Sequence, residues 1–307
     1  MTYMRPQIKK LGTIDIDLVE TTPVVFKERL YRFEYVRQRY KANTSGDSYF
    51  RFIDVATGNY TSAFGHSFHL GSAFEYAGRM YVFAVKKWAG QEIFMFSSDD
   101  LETWTAPRSM LLDERWEAYN TSVCRGPDRF ILVYELGKPE DEVGVPFTIF
   151  FAESDDLVNW RPCEDIKPFT PERYSACPTI RFCDGHYYMT YLEGDYQRGF
   201  VQHIVRSSDL NSWEQSLLNP FLNFDNDDRK IYNNKFNSEQ LEKIKAAKNI
   251  NVSDVDFCEF NGETCLYYSW GDQKGVEFLA EAHSPMPLDE FLKAWFPGDK
   301  RICNHDK

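Results

Sequence analysis

The sequence lacks most of the short signatures that announce a chemistry. It has no Gly-rich phosphate loop, no nucleophile elbow around a serine and no His-Glu-x-x-His run, so nucleotide-dependent, serine-hydrolase and zinc-protease readings have no foothold. No Cys-x-x-Cys pair occurs among the seven cysteines, Cys124, Cys163, Cys177, Cys183, Cys258, Cys265 and Cys303. A structural zinc site is therefore not indicated. No run reaches the ~18 apolar residues a membrane helix needs. Positive charge is also scarce: 35 Lys and Arg face 47 Asp and Glu, a net charge of −12. That balance repels phosphate backbones and anionic membrane surfaces, so neither nucleic acid nor membrane is an expected partner. An odd number of unpatterned cysteines, several inside apolar runs, fits a reduced compartment, and residues 1–12 hold no apolar signal-peptide core. A cytoplasmic location is the expectation, with a leader removed beforehand left open.

What the chain does have is aromatic side chains, 16% of the total, with 25 Phe, 18 Tyr and 7 Trp. These favour pleated, half-buried surfaces, and they also make flat platforms for sugar rings. One phrase recurs three times at nearly equal intervals: Ser98-x-Asp100-Leu101-x-x-Trp104, Ser154-x-Asp156-Leu157-x-x-Trp160 and Ser207-x-Asp209-Leu210-x-x-Trp213. Ser and Asp side chains shape a turn by bonding nearby backbone N–H groups, and Leu and Trp fold back to bury. Each copy follows a strand-like run. Each is also preceded by a strand–turn–strand unit, and five such hairpins can be counted, at 23–33, 72–83, 122–134, 178–191 and 256–268. Asp184-Gly185 and Asn261-Gly262 are strong hairpin turns. Repetition on this scale points to an all-β, five-bladed β-propeller with short helical insertions, whose ring closure protects the sheet edges.

The expected organisation is one domain over 1–307. Its blades fall near 13–58, 64–108, 116–164, 172–218 and 250–285, with an insertion at 219–249 and a C-terminal helix at 287–296. Within the insertion, 239–248 has helical spacing, with Leu241, Ile244 and Ala247 on one face. A long insertion at a blade junction is either a rim loop over a site or a surface excursion.

The hairpin followed by Ser-x-Asp-Leu-x-x-Trp resembles the five-bladed propeller glycosidase superfamily, glycoside hydrolase families 43, 32, 62, 68, 117 and 130 among them, over about residues 12–285. The resemblance implies a funnel along the propeller axis, lined by the starts of the innermost strands, and a carbohydrate substrate. The catalytic signature departs from that pattern. Where family 43 carries an Asp before the first-blade Pro, this chain has Thr22 before Pro23, and two residues before Pro178 stands Ala176 in place of a Glu. The Arg-Ile-Glu-Asp-Pro-Arg-like run of family 130 is missing.

Glycoside hydrolysis needs two carboxyl groups across the scissile bond. Glu20, on the face of Thr22 by strand alternation, is the first candidate, as base. Asp254 and Glu193 are candidate partners, and inversion is the expected outcome by the resemblance. Glu193 belongs to a set of acids recurring at the ends of second strands, with Glu34, Glu135 and Asp272, which otherwise reads as scaffold. Expected substrate-binding residues are His69, Trp116, Asn120, Arg173, Tyr174 and Asp256. No cofactor is required, no ligand spacing demands a metal, and a divalent cation in the funnel is left open. The expected function is a glycoside hydrolase, exo-acting on an oligosaccharide or a plant or algal glycan side chain. The competing readings are a glycan- or protein-binding propeller without turnover, a glycoside phosphorylase and, below these, a sialidase.

Overall fold

The computed structural model describes residues 3–37 and 47–298; Cys303 lies outside them. The first strand, β1 (Lys9–Ile16), precedes blade one, which is β2 (Thr21–Phe26), β3 (Arg29–Arg37) and β4 (Ser48–Asp54). Blade two is β5 (His69–Tyr76), β6 (Arg79–Val85), β7 (Glu92–Ser98) and β8 (Arg108–Leu112). Blade three is β9 (Ala118–Arg125), β10 (Phe130–Leu136), β11 (Thr148–Ser154) and β12 (Trp160–Pro162), with α1 (Glu140–Val143) in its second loop. Blade four is β13 (Ala176–Cys183), β14 (His186–Asp195), β15 (Gly199–Ser207) and β16 (Glu214–Gln215). After the insertion and its helix α2 (Ser238–Ala246) comes blade five, β17 (Asn251–Phe260), β18 (Glu263–Gly271) and β19 (Glu277–Ser284), followed by α3 (Leu288–Ala294). Every blade is an antiparallel meander, and blades four and five touch through one parallel pair, Phe200 with Asn251. Around the axis β2 neighbours β5, β5 neighbours β9, β9 neighbours β13, β13 neighbours β17 and β17 returns to β2. The architecture is a closed five-bladed propeller. Among the described residues no helix is long and apolar enough to cross a membrane.

The ring closes by strand exchange. β1 does not start blade one, where a boundary at 13 would place its second half; it pairs antiparallel with β19 as the outermost strand of blade five. Gly12 makes this fit. Its φ of +113° bends β1 at a bulge, and a Cβ at this position would run into the Lys230 carbonyl. Next to it, Thr13 donates its N–H to Lys230 O at 2.7 Å and its hydroxyl to Asp228 O at 2.6 Å, and accepts from Trp270 Nε1 at 2.9 Å. The insertion is thus clamped onto β1. Asp228, fully buried, accepts from Lys10 Nζ at 2.7 Å, Tyr268 Oη at 2.8 Å and Asn249 Nδ2 at 2.8 Å. In α2 only Ile244 is fully buried, while Leu241 of the same stripe stays exposed.

The repeated phrase works as an inter-blade lock. The Asp carboxylates accept two backbone N–H groups each, Glu102 and Thr103, Val158 and Asn159, Asn211 and Ser212, at 2.7–2.9 Å. These bonds hold Asp100, Asp156 and Asp209 down at about 2. Leu101, Leu157 and Leu210 take left-handed backbone, φ 68°, 65° and 64°, which a branched side chain tolerates only where the surroundings over-determine it. Each Trp indole donates to the Leu carbonyl, at 3.2, 3.0 and 2.9 Å. The ring is thereby aimed backward: Trp104 stacks at 3.8 Å on Phe64, which is bridged to Phe50 of blade one, Trp160 meets Phe83 of blade two edge-on at 6.0 Å, and Trp213 stacks on Phe151 of blade three at 6.1 Å. Between blades four and five, Phe291 and Trp295 of the C-terminal helical segment fill the same role against Phe221, at 5.7 and 4.9 Å.

Replacing Gly12 by Ala is expected to lower unfolding stability by at least ~2 kcal/mol, since it adds both a left-handed strain and a backbone collision. Gly185→Ala, at φ +79° in open space, should cost only about 1 kcal/mol. Chemical denaturation of the two variants checks the difference.

Candidate active site

The axial ends of the innermost strands are broken by bulges. The register slips between His69 and Ser72 in β5, between Ala176 and Thr179 in β13 and between Ser253 and Asp256 in β17, and opposite β9 it slips between Tyr134 and Leu136. At three of these bulges the residue takes left-handed backbone: Leu70 at φ 53°, Cys177 at 52° and Asp254 at 50°. A bulge re-aims a side chain out of the strand's alternation. Here Leu70, Asn120, Cys177 and Asp254 all turn onto the axis, and Glu20, just before β2, joins them. They form the floor of a cavity of about 620 Å³ that opens at one end of the ring. Below the floor the axis narrows to a channel of about 30 Å³ between Thr22, Ser72, Thr121, Thr179 and Asp256, wide enough for water and too small for a sugar ring.

Three carboxyl groups meet at this floor. Glu20 is 8% exposed; its Oε2 lies 3.6 Å from the Arg37 guanidinium and makes no hydrogen bond to the described residues. Burial pushes Glu20 up, Arg37 opposes this, and the nearby Asp254 adds to it. Asp254 is likewise pushed up by burial, against hydrogen bonds from Ser253, Cys177 and Ser269, the last at 3.4 Å, and against Arg37. Glu135 comes from the second strand of blade three, opposite the bulge in β9, and is fully buried. Its Oε1 accepts the Cys177 N–H, and its Oε2 sits 3.3 Å from Asn120 Nδ2 and 3.4 Å from Asn120 N. Burial dominates these bonds and lifts Glu135 to about 8, so it keeps its proton at neutral pH. The site therefore pairs Glu135, lifted to about 8, with Glu20, which burial lifts to about 7 against the Arg37 charge.

The walls are aromatic. Trp88, Tyr119, Phe147 and Tyr174 run in sequence along one side, with ring centroids 5.8, 4.8 and 5.9 Å apart. Opposite stands the loop of Gln273, Lys274 and Gly275. Gln273 donates its N–H to the buried Glu277 at 2.7 Å and its side chain to Asn251 at 2.9 Å, which fixes the loop on blade five. Among the described residues no group of three or more His, Cys, Asp and Glu is arranged to hold a metal ion.

Of the residues singled out in the sequence, Glu20, Asp254, Asn120 and Tyr174 come together at the cavity, and Asp256 sits below it, paired with Arg181 at 2.5 Å. The other four lie outside the walls of both. Glu193 and Arg173 bond each other at 3.2 Å beside Tyr191, as a blade-four scaffold pair. Trp116 packs 5.4 Å from Tyr134, and His69 shares a 2.6 Å hydrogen bond with Tyr35 Oη one layer behind Leu70. Burial and Arg37 hold His69 below its ordinary value, hence neutral. The insertion at 219–249 lines neither space.

The backbone is similar to that of solved glycoside hydrolases. Against the catalytic domain of a Coprinopsis cinerea GH62 alpha-L-arabinofuranosidase the TM-score is 0.65 at 12% identity, covering 92% of this chain and 98% of that one. Another solved glycoside hydrolase gives 0.64 at 13% identity over 92% of this chain and 93% of that one. The xylan beta-1,4-xylosidase of Bacillus halodurans gives 0.61 at 14% identity over 90% of this chain, which spans only 54% of that enzyme's length. This chain has their five-bladed propeller fold. No protein-family model matches its sequence, and no curated protein matches it.

Two residues, Glu135 at the floor and Arg37 beside Glu20, were not among the candidates read from the sequence. Arg37 carries no local signal. Glu135 was visible only as one of the acids recurring at second-strand ends, and nothing in the pattern distinguishes it from Glu34, which is locked between Arg32 at 2.5 Å and Arg51 at 2.7 Å.

The raised Glu135 also sets a stability signature. A carboxyl whose folded value lies above its unfolded 4.5 stabilises the fold fully below about 4.5, and this contribution is lost as pH rises through about 8. The Tm of the protein is expected to decline between these limits, and Glu135→Gln, which cannot ionise, should flatten the decline; thermal unfolding at closely spaced pH values measures it.

Proposed function

We propose that this chain is a glycoside hydrolase that removes a terminal residue from an oligosaccharide or a glycan side chain. The observation that carries the reading is the convergence of Glu20, Glu135 and Asp254 on one cavity floor, where packing gives no reason to bury three carboxyl groups. Burial lifts both glutamates, Glu135 to about 8 and Glu20, with Arg37 opposing, only to about 7. Glu135, neutral near pH 7, is the general acid that protonates the departing glycosidic oxygen. Glu20, beside Arg37, is the base that activates water, and Asp254 modulates it across the floor. Glu135 thus takes the acid role for which Glu193 stood in the sequence reading. The aromatic wall from Trp88 to Tyr174 offers stacking faces for sugar rings. The channel beneath the floor admits water and stops a glycan from threading through, which supports attack at a chain end.

A panel of aryl glycosides and short plant and algal oligosaccharides, assayed for released sugar, tests this reading. Glu135→Gln is expected to lower kcat/KM roughly 10²–10⁴-fold while the protein stays folded. In the parent, kcat/KM should fall above about pH 8 as Glu135 deprotonates, and that limb should vanish in the variant. The anomer released first, read by NMR, distinguishes inversion from retention. Binding of the same sugars without release from any of them would replace this reading with a propeller that binds glycan without turnover.

A further inference from the structure

Blade five carries a second cluster that the cavity does not use. Cys258 on β17 lies directly opposite Cys265 on β18, and Cys265 lies directly opposite His283 on β19, so the three form one row across the blade. Residues facing each other in an antiparallel ladder project from the same side of the sheet, with Cα atoms about 4.5 or about 5.5 Å apart. Both spacings fall inside the roughly 4.4–6.8 Å window that a disulfide spans. Both thiols are free in this structure. Cys265 is buried and Cys258 half-buried, while the His283 side chain is 30% exposed and opens the row to solvent.

The neighbours of the two sulfurs differ. His283 bonds Glu281 through Nε2 at 2.8 Å, and its Nδ1 stands 3.7 Å from Glu263. Hydrogen bonding with Cys265, then with Glu281, lifts His283 to about 10, so the ring is an imidazolium at neutral pH. A cation in that place faces Cys265, with Cys258 one strand further from it. Burial acts first on Cys258 and pushes it up, which leaves it a protonated thiol.

We propose that Cys258 and Cys265 form a redox modification site, in which a hydroperoxide converts the facing thiols into a cross-strand disulfide, with Cys265 attacking and Cys258 resolving. In the first step the Cys265 sulfur gives its proton to solvent and attacks one peroxide oxygen. The O–O bond breaks, the sulfur is oxidised to a sulfenic acid, and the departing hydroxide leaves as water with a proton from His283. In the second step the Cys258 sulfur attacks the sulfenic sulfur, the S–S bond forms, and the hydroxide released takes the Cys258 proton. One peroxide is reduced to two waters, and two thiols lose two electrons and two protons, one of which returns to His283 from solvent. Neither cysteine lines the cavity, so this site stands apart from the glycosidase reading.

The test exposes the folded chain to a small excess of hydrogen peroxide and then blocks remaining thiols with iodoacetamide. Digestion after Glu259 and Glu263 separates the two cysteines unless they are bonded to each other. The expected product is the Cys258–Cys265 peptide pair, two hydrogens lighter than the sum of its parts and restored by reductant. Cys258→Ser should leave a Cys265 sulfenic acid that dimedone traps. His283→Gln should slow disulfide formation roughly tenfold. The proposal is overturned if both thiols in the parent stay open to alkylation after peroxide treatment, if the pair forms only once the chain is denatured, or if Cys258 oxidises at an unchanged rate in Cys265→Ser.

Discussion

The pairing of β1 with β19 is the contact on which the rest of the molecule depends. A propeller blade buries its faces only against neighbours, so an open ring would leave two blades half-covered and an axis with no closed wall. The closure is unusually well specified: a left-handed glycine that admits the Lys230 backbone, a threonine satisfied on all sides, and a buried aspartate that ties strand, insertion and blade five together. The backward-aimed tryptophans distribute the same task over the interior junctions.

Closing the ring also creates the site. Five strand ends are brought to one axis, and bulges at several of them turn side chains into the space that remains. The backbone there is strained, and the acids are held against their solvation preference. Both terms oppose folding locally. A scaffold with large aromatic interfaces between blades can sustain them, and this is the usual exchange of stability for a poised site.

Much of this was legible in the sequence. The hairpins and the three tryptophan turns repeat, and repetition survives in a single chain as pattern, so the propeller could be read directly. Glu20, Asp254, Asn120 and Tyr174 line the cavity because they sit at or near strand starts, which the fold sends to the axis. Four other candidates lie outside the cavity walls for a common reason. Trp116, His69, Arg173 and Glu193 also flank innermost or second strands, yet bulges and local pairing decide which side chain faces the axis, and a bulge shifts the alternation by one without a fixed signature. Glu135 reaches the floor from an unbroken β10, opposite the bulge that turns Asn120 of β9 onto the axis. Closure by β1 was missed because strand exchange joins two distant segments that share no motif.

That exchange has a consequence for the order of events during synthesis. The strand that completes the ring leaves the ribosome before any blade exists, and its partner β19 is made only after all the intervening strands. Blades one to four can gather as an open arc, but β1 must stay unpaired, with its amides free, until blade five emerges. The ring therefore cannot close on β1 before β19, the last strand of blade five, has been made.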